Sequence, residues 1–119
     1  METLDQLKVR LREFAVVRDW EQFHSPKNLA MALIVEAAEL VEHFQWLTEE
    51  QSADLPPEKL AEVEQELADI QIYLIRLADR LGIDLEQAVD AKIALNERKY
   101  PVEKARGSAR KYTEFDNGC

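Results

Sequence analysis

Cysteine, glycine and proline are scarce in this chain: one, three and four residues respectively among 119. The lone cysteine, Cys119, is the last residue, so no internal disulfide can form, as expected of a reducing compartment. So few chain breakers leave little punctuation, and long helices are the simplest use of such a sequence. There is no apolar run near the roughly 18 residues that would suggest a membrane span. The opening Met1-Glu2-Thr3-Leu4-Asp5 is acidic and has neither the basic start nor the apolar stretch of a secretory signal. Together these absences predict a cytoplasmic protein. Excess positive charge is missing too. A formal net charge of −9 speaks against nucleic acid polymers as partners, because gripping a phosphate backbone needs a basic face.

Hydrophobic residues make up 46% and charged residues 33% of the chain, the balance of a globular protein of single-domain size. The charge is unevenly spread. Between Arg98 and Lys111 six basic residues face one acid, Glu103, a local +5 that leaves −14 for the rest. An acidic body with a basic tail could grip a small polyanion through bound metal and a few cations. A solvated acidic surface with a basic end accounts for the same charges.

Helix signals divide the chain. Thr3 and Gln6 form a capping box before Leu4, Leu7, Leu11, Phe14 and Val17, which predicts a first helix ending near Arg18. Ser25 followed by Pro26 is an N-cap with proline at the first helical position, and a second helix should run to about Leu47. Thr48 to Pro57 reads as a polar loop with room for one short turn. A third helix should span about Pro57 to Leu81 with Gly82 as its C-terminal cap. Asp84 and Gln87 form another capping box, opening a fourth helix from Leu85 to about Lys99, which Pro101 stops. The tail, Val102 to Cys119, reads as extended or irregular. No strand-like alternation stands out. The expected fold is an all-α bundle of four helices, residues 1–101, with the basic tail 102–119 as part of the same domain. The second helix is apolar nearly all round (Leu29, Met31, Leu33, Ile34, Val35, Leu40, Val41, Phe44). One chain of this length can hardly surround it, which predicts a homo-oligomer.

At about 100° per residue, Leu29, Leu33, Leu40, Phe44 and Leu47 form one stripe of the second helix. Glu36 falls inside that stripe and Glu39 along its border. On the third helix the stripe is Val63, Leu67, Ile70, Leu74, Leu77 and Leu81, with Glu66 inside and Asp69 on the border. Two packed helices thus present matching acid pairs, and no Lys or Arg lies within a turn of Glu36 or Glu39. Buried acids are costly unless paired or metal-bound. A hard divalent cation, Mg²⁺ or Mn²⁺, relieves the repulsion and prefers oxygen ligands. The competing reading is a solvated flank. A di-iron site is disfavoured, because it needs two Glu-x-x-His motifs inside the bundle. The single such triplet, Glu21 to His24, precedes the second helix in a loop, and His43 follows Glu39 by four residues. His24 is therefore expected to be a loop residue, and His43 a helix-surface or interface residue.

The run Glu36-Ala37-Ala38-Glu39, then 26 residues, then Glu66-Leu67-Ala68-Asp69 resembles the E-x-x-E … E-x-x-D pattern of the MazG-like, all-α nucleoside triphosphate pyrophosphatases. The likeness is greatest to their dCTP pyrophosphatase branch. It extends to Arg18 through His24, Phe44-Gln45-Trp46, Tyr73-Leu74, Asn96 before Tyr100-Pro101, and Ser108 through Glu114, so roughly residues 10 to 115. The resemblance implies a homotetramer in which Glu36, Glu39, Glu66 and Asp69 bind Mg²⁺ and Trp20, Trp46 and Tyr73 help form the nucleoside pocket. It places Lys92, Asn96, Arg110 and Lys111 near phosphates or sugar. Leu11 departs from the pattern, standing where some relatives carry a histidine near the base. Without the resemblance, Trp20 and Trp46, both at helix ends, fit either a pocket rim or ordinary core packing. The implied reaction is hydrolysis at the α-phosphorus with pyrophosphate leaving, Glu36 or Glu39 taking the proton of the attacking water. A dUTPase or an enzyme for another non-standard nucleotide on the same scaffold, and a non-enzymatic helical interaction protein holding only structural metal, are the alternatives.

Overall fold

The computed structural model describes residues 1–115; Cys119 lies outside them. Among the described residues the structure is entirely helical. The helices are α1 (Leu4–Val17), α2 (Pro26–Glu42), α3 (Glu49–Ser52), α4 (Pro57–Arg80), α5 (Leu85–Lys99) and α6 (Val102–Ala105), with 3₁₀ turns at Glu21–Phe23 and Tyr112–Glu114. None is long and apolar enough to cross a membrane. The chain divides into two compact units, Met1–Ile83 and the segment from Asp84 onward. That boundary falls between α4 and α5.

Local chemistry sets most helix ends. The Thr3–Gln6 capping box is present, Ser25 Oγ accepts from Asn28 N, and Asp84 accepts from Gln87 N. Gly82 follows α4 with φ 68°, the left-handed conformation that ends a helix cheaply only at glycine. Two expectations are corrected. The second helix stops at Glu42, not Leu47. Beyond it the chain tightens into turns such as Phe44 N to Val41 O at 2.9 Å and Leu47 N to Phe44 O at 2.9 Å. Thr48 then opens α3 with its own capping box, Gln51 N donating to Thr48 Oγ1 at 3.1 Å and Thr48 N to Gln51 Oε1 at 2.9 Å. The tail is not simply irregular either, since it contains α6 and a 3₁₀ turn.

In the first unit α4 is the central element, with α2 and α1 packed against it. Ala15, Leu29, Val63, Ile75 and Ala78 are its buried apolar residues. The stripe expected on α4 is rotated: Leu67 and Leu81 are exposed, while Arg76 is buried at 2%. Arg76 is admitted by ion pairing. Its guanidinium donates to Glu21 Oε1 at 2.8 Å and Asp79 Oδ2 at 3.1 Å, Arg12 Nε donates to Asp79 Oδ2 at 3.0 Å, and Arg80 donates to Glu21 Oε2 at 3.0 Å. These two arginines hold the Asp79 carboxyl below its ordinary range, Arg12 more than Arg76. On α2, Met31, Ile34, Val35 and Val41 are each more than half exposed, a sizeable apolar face left uncovered by this chain.

In the second unit, the tail folds back on the end of α5. The Tyr100 ring meets Tyr112 and Phe115 edge-on, with centroids 6.1 and 5.6 Å away. Lys99 lies over the Tyr112 ring and Phe115 is buried.

Candidate active site

Within one turn of α2, Glu36 and Glu39 both face α4, which answers with Glu66. The i, i+3 spacing puts the two α2 acids on one face, and the packing of α2 on α4 brings in the third. One carboxylate oxygen from each lies within 4.8 Å of the others, and all three residues are half-buried. The inward turn of Glu36 is the geometry anticipated from the α2 stripe. Asp69, one turn beyond Glu66, stands beside this cluster and adds negative charge to it.

The electrostatics follow from the geometry. The Glu36 carboxyl is pushed up from 4.5 to about 7, first by burial, then by the adjoining Glu66 and Glu39 carboxyls and the charges of Glu39 and Asp69. No cation contributes to that balance. Glu66 Oε2 is buried and has no hydrogen-bond partner, which is costly for a carboxylate oxygen unless something electropositive meets it. An all-oxygen donor set, one orphaned buried oxygen and an unrelieved negative field fit a hard divalent cation. His43 is outside the cluster, 3.5 Å from Glu62 and 3.3 Å from Lys59, so no imidazole joins it.

Beside the acids, α1 and α4 enclose a largely apolar cavity of about 510 Å³, the size of a small-ligand pocket. Trp20, Tyr73 and Asp69 line it, as do Leu11, Phe14 and His24. Asp69 thereby joins the acid cluster to the cavity. The Trp20 ring is held edge-on by Phe14 (centroids 5.8 Å apart) and His24 (6.2 Å) and remains 43% exposed, a geometry that suits stacking on a planar ligand.

Within the first unit the structure brings most of the anticipated residues together and leaves Trp46 apart. Glu36, Glu39 and Glu66 converge in the first unit, and Asp69, Trp20 and Tyr73 line the neighbouring cavity. Trp46 does not reach this cavity; its ring is 86% exposed in the turns after α2. Lys92 and Asn96 stand one turn apart on α5, in the second unit. Arg110 donates to Ser108 Oγ at 3.1 Å and lies over Phe115, and Lys111 N donates to Glu114 at 3.2 Å. Phe14, His24 and Arg76 are lining residues that the helical reading passed over. His24 is in a loop as expected, yet its ring turns into the protein, where burial first and Arg76 second hold its proton affinity below the ordinary value. The one signal for Arg76 was its place in the apolar run Ile75 to Ala78.

Known proteins resemble this chain along its length. Residues 31–115 match the MazG-like family. The chain is 48% identical over 118 residues to dCTP pyrophosphatase 1 of Mus musculus, 98% of this chain and 69% of that one. It is 46% identical over 119 residues to dCTP pyrophosphatase 1 of Homo sapiens, 98% and 70% of the two chains. Among solved structures, a pyrophosphatase from Archaeoglobus fulgidus DSM 4304 superposes with a TM-score of 0.79 at 41% identity, covering 85% of this chain and 94% of the other. With these matches and its E-x-x-E … E-x-x-D acid set, the chain belongs to the MazG-like family.

Proposed function

We propose that this protein is a Mg²⁺-dependent nucleoside triphosphate pyrophosphohydrolase that cleaves dCTP, or a modified dCTP, to the monophosphate and pyrophosphate. The observation that carries the reading is the place of Asp69, which lines the aromatic cavity and adds its charge to the Glu36 carboxyl of the neighbouring acid cluster. It offers a metal-binding end for phosphates and a stacking end for a base. Glu36, Glu39, Glu66 and Asp69 would hold the cation. Bound there, a divalent ion supplies an acidified water and offsets the charge on departing pyrophosphate. Trp20 and Tyr73 orient the nucleoside, Trp20 through its open ring face. Glu36 and Glu39 are the candidates for taking the water's proton. Lys92, Asn96, Arg110 and Lys111 enter as cationic and polar groups for the phosphates and sugar, on the strength of the family pattern. The cytosine preference rests on the dCTP pyrophosphatases that the chain resembles. The test is pyrophosphate release from a panel of all NTPs and dNTPs with Mg²⁺. dCTP should lead the panel; a dUTP optimum would move the chain to the dUTPase reading, and no release from any nucleotide would leave a metal-binding helical protein.

The same proposal includes a homo-oligomer, at least a dimer and by family resemblance a tetramer. The support is the uncovered face of Met31, Ile34, Val35 and Val41 together with the exposed Trp46 ring. Light scattering at micromolar concentration should give the mass of two or more chains. Trp46 lies outside its own subunit's cavity, so it can meet the nucleotide only across such an oligomer interface; there, Trp46→Ala should raise KM for the nucleotide more than it lowers kcat, by the roughly 1–3 kcal/mol of one stacking contact. A monomeric mass would sink the oligomer, and an unchanged KM would remove Trp46 from the pocket.

A further inference from the structure

Trp20 sits on an irregular turn that its own backbone holds only in part. Asp19 before it is at φ 55°, a left-handed conformation that a non-glycine residue adopts only when its surroundings impose it. Trp20 N donates to Ala15 O at 2.9 Å and Phe23 N donates to Trp20 O at 2.8 Å. Gln22 Nε2 closes the turn on Asp19, 3.0 Å from its carbonyl oxygen and 3.1 Å from Oδ2. None of these bonds ties the turn to α4, the helix that supplies Asp69 and Tyr73.

The next residue makes that connection. Glu21 takes one guanidinium on each carboxylate oxygen, Arg76 on Oε1 at 2.8 Å and Arg80 on Oε2 at 3.0 Å. Arg76 is 2% exposed and is itself fixed by Asp79, which α1 grips through Arg12. A planar guanidinium held by two carboxylates has little rotational freedom. Arg76 also lines the cavity. The chain of ion pairs runs from α1 through α4 to the residue beside Trp20.

We infer that the Glu21–Arg76–Asp79–Arg12 network, with Arg80, is a positioning device that fixes the Trp20 ring over the cavity, so that Glu21 sets nucleoside affinity without touching the nucleoside. The inference rests on the nucleotide-pocket reading for its kinetic consequence but not for its structural one. Removing the Glu21 carboxylate frees the turn from α4 while Asp79 still neutralises Arg76. The Trp20 ring then samples more orientations, and part of the stacking contact is lost in ground and transition state alike.

The test has two readouts on Glu21→Ala and Glu21→Gln. In a Trp46→Phe background Trp20 is the one tryptophan, and acrylamide quenching of its fluorescence needs no substrate. With Trp46 in place, kcat and KM for dCTP are measured with Mg²⁺ below the melting temperature of each variant. The quenching constant is expected to rise about twofold and KM about fivefold, more for Ala than for Gln, with kcat within about twofold. Should Glu21→Ala fail to fold, Arg80→Gln opens half the clamp from its solvent side and should move both readouts the same way by less. A network that merely stabilises the fold lowers the melting temperature and leaves both readouts at wild-type values. That result, or a change in one readout without the other, overturns the proposal. If the wild type hydrolyses no nucleotide, the pocket reading fails, while the quenching measurement still decides whether Glu21 holds Trp20.

Discussion

Glu39→Gln is expected to abolish pyrophosphate release while leaving the metal-free protein as stable as the wild type, or more so. In the metal-free protein Glu39 adds to the repulsion that lifts the Glu36 proton affinity, and a neutral near-isostere removes part of it. With Mg²⁺ the order should reverse. The wild type then gains linkage stabilisation, about 2.7 kcal/mol at a metal concentration a hundredfold above its dissociation constant, and the variant loses most of it. Turnover should drop at least about a hundredfold, the loss seen when one preorganised charge-stabilising group is removed from an active site. Melting curves with and without Mg²⁺, beside a pyrophosphate assay, decide the matter. Wild-type turnover in the variant, or an unchanged Mg²⁺-induced rise in melting temperature, would refute Glu39 as a ligand. A carboxylate on a solvated flank would shift stability by no more than about 0.5 kcal/mol and leave activity intact.

Metal removal should have the next largest effect, and its size should depend on pH in a defined direction. EDTA is expected to abolish turnover. In metal-free buffer the folded protein holds a proton on Glu36 up to about 7, where a carboxyl of ordinary affinity, 4.5, has released it. The folded state therefore binds more protons than the unfolded chain across that window. The contribution is fully present below about 4.5 and is lost as pH rises through about 7. The metal-free melting temperature should fall over this range by more in the wild type than in Glu36→Gln, which has no such proton to lose. Mg²⁺ competes with that proton, so the stabilisation it confers should grow from about pH 5 to about pH 8. A Mg²⁺-induced shift of equal size at both ends, or a Glu36→Gln protein with the wild-type pH dependence, would separate Glu36 from the metal. Full turnover in EDTA would remove the metal from the mechanism altogether.

Both expectations lean on acids that could be found without a structure, because a helix is a local object. Its caps lie within four residues of its ends, so Thr3 with Gln6, Ser25 with Pro26 and Asp84 with Gln87 mark starts that the fold reproduces. Its angular step is fixed, so Glu36 could be placed on an apolar stripe of α2 by counting residues. The same counting misjudged α4, where Leu67 and Leu81 face outward and Arg76 faces in. Hydropathy ranks arginine last among residues to bury, and only partners from elsewhere in the chain reverse that order.

By itself, then, the sequence determined the helical class, most helix boundaries and the acid pairs, and those pairs together with the tryptophan and tail segments carried its resemblance to the family. Tertiary structure alone decided that Glu36, Glu39 and Glu66 converge within 4.8 Å with Asp69 beside them, and that Trp20 enters a cavity with Tyr73 and His24 while Trp46 stays on the surface. It also buried Arg76 against Glu21, 55 residues away, and joined Asp79 to Arg12 across 67. The reason is range. Capping and periodicity act within one or two turns and are written in neighbouring residues, whereas a pocket and an ion-pair network are made when distant helices meet, and only the packed chain brings their side chains into reach of one another.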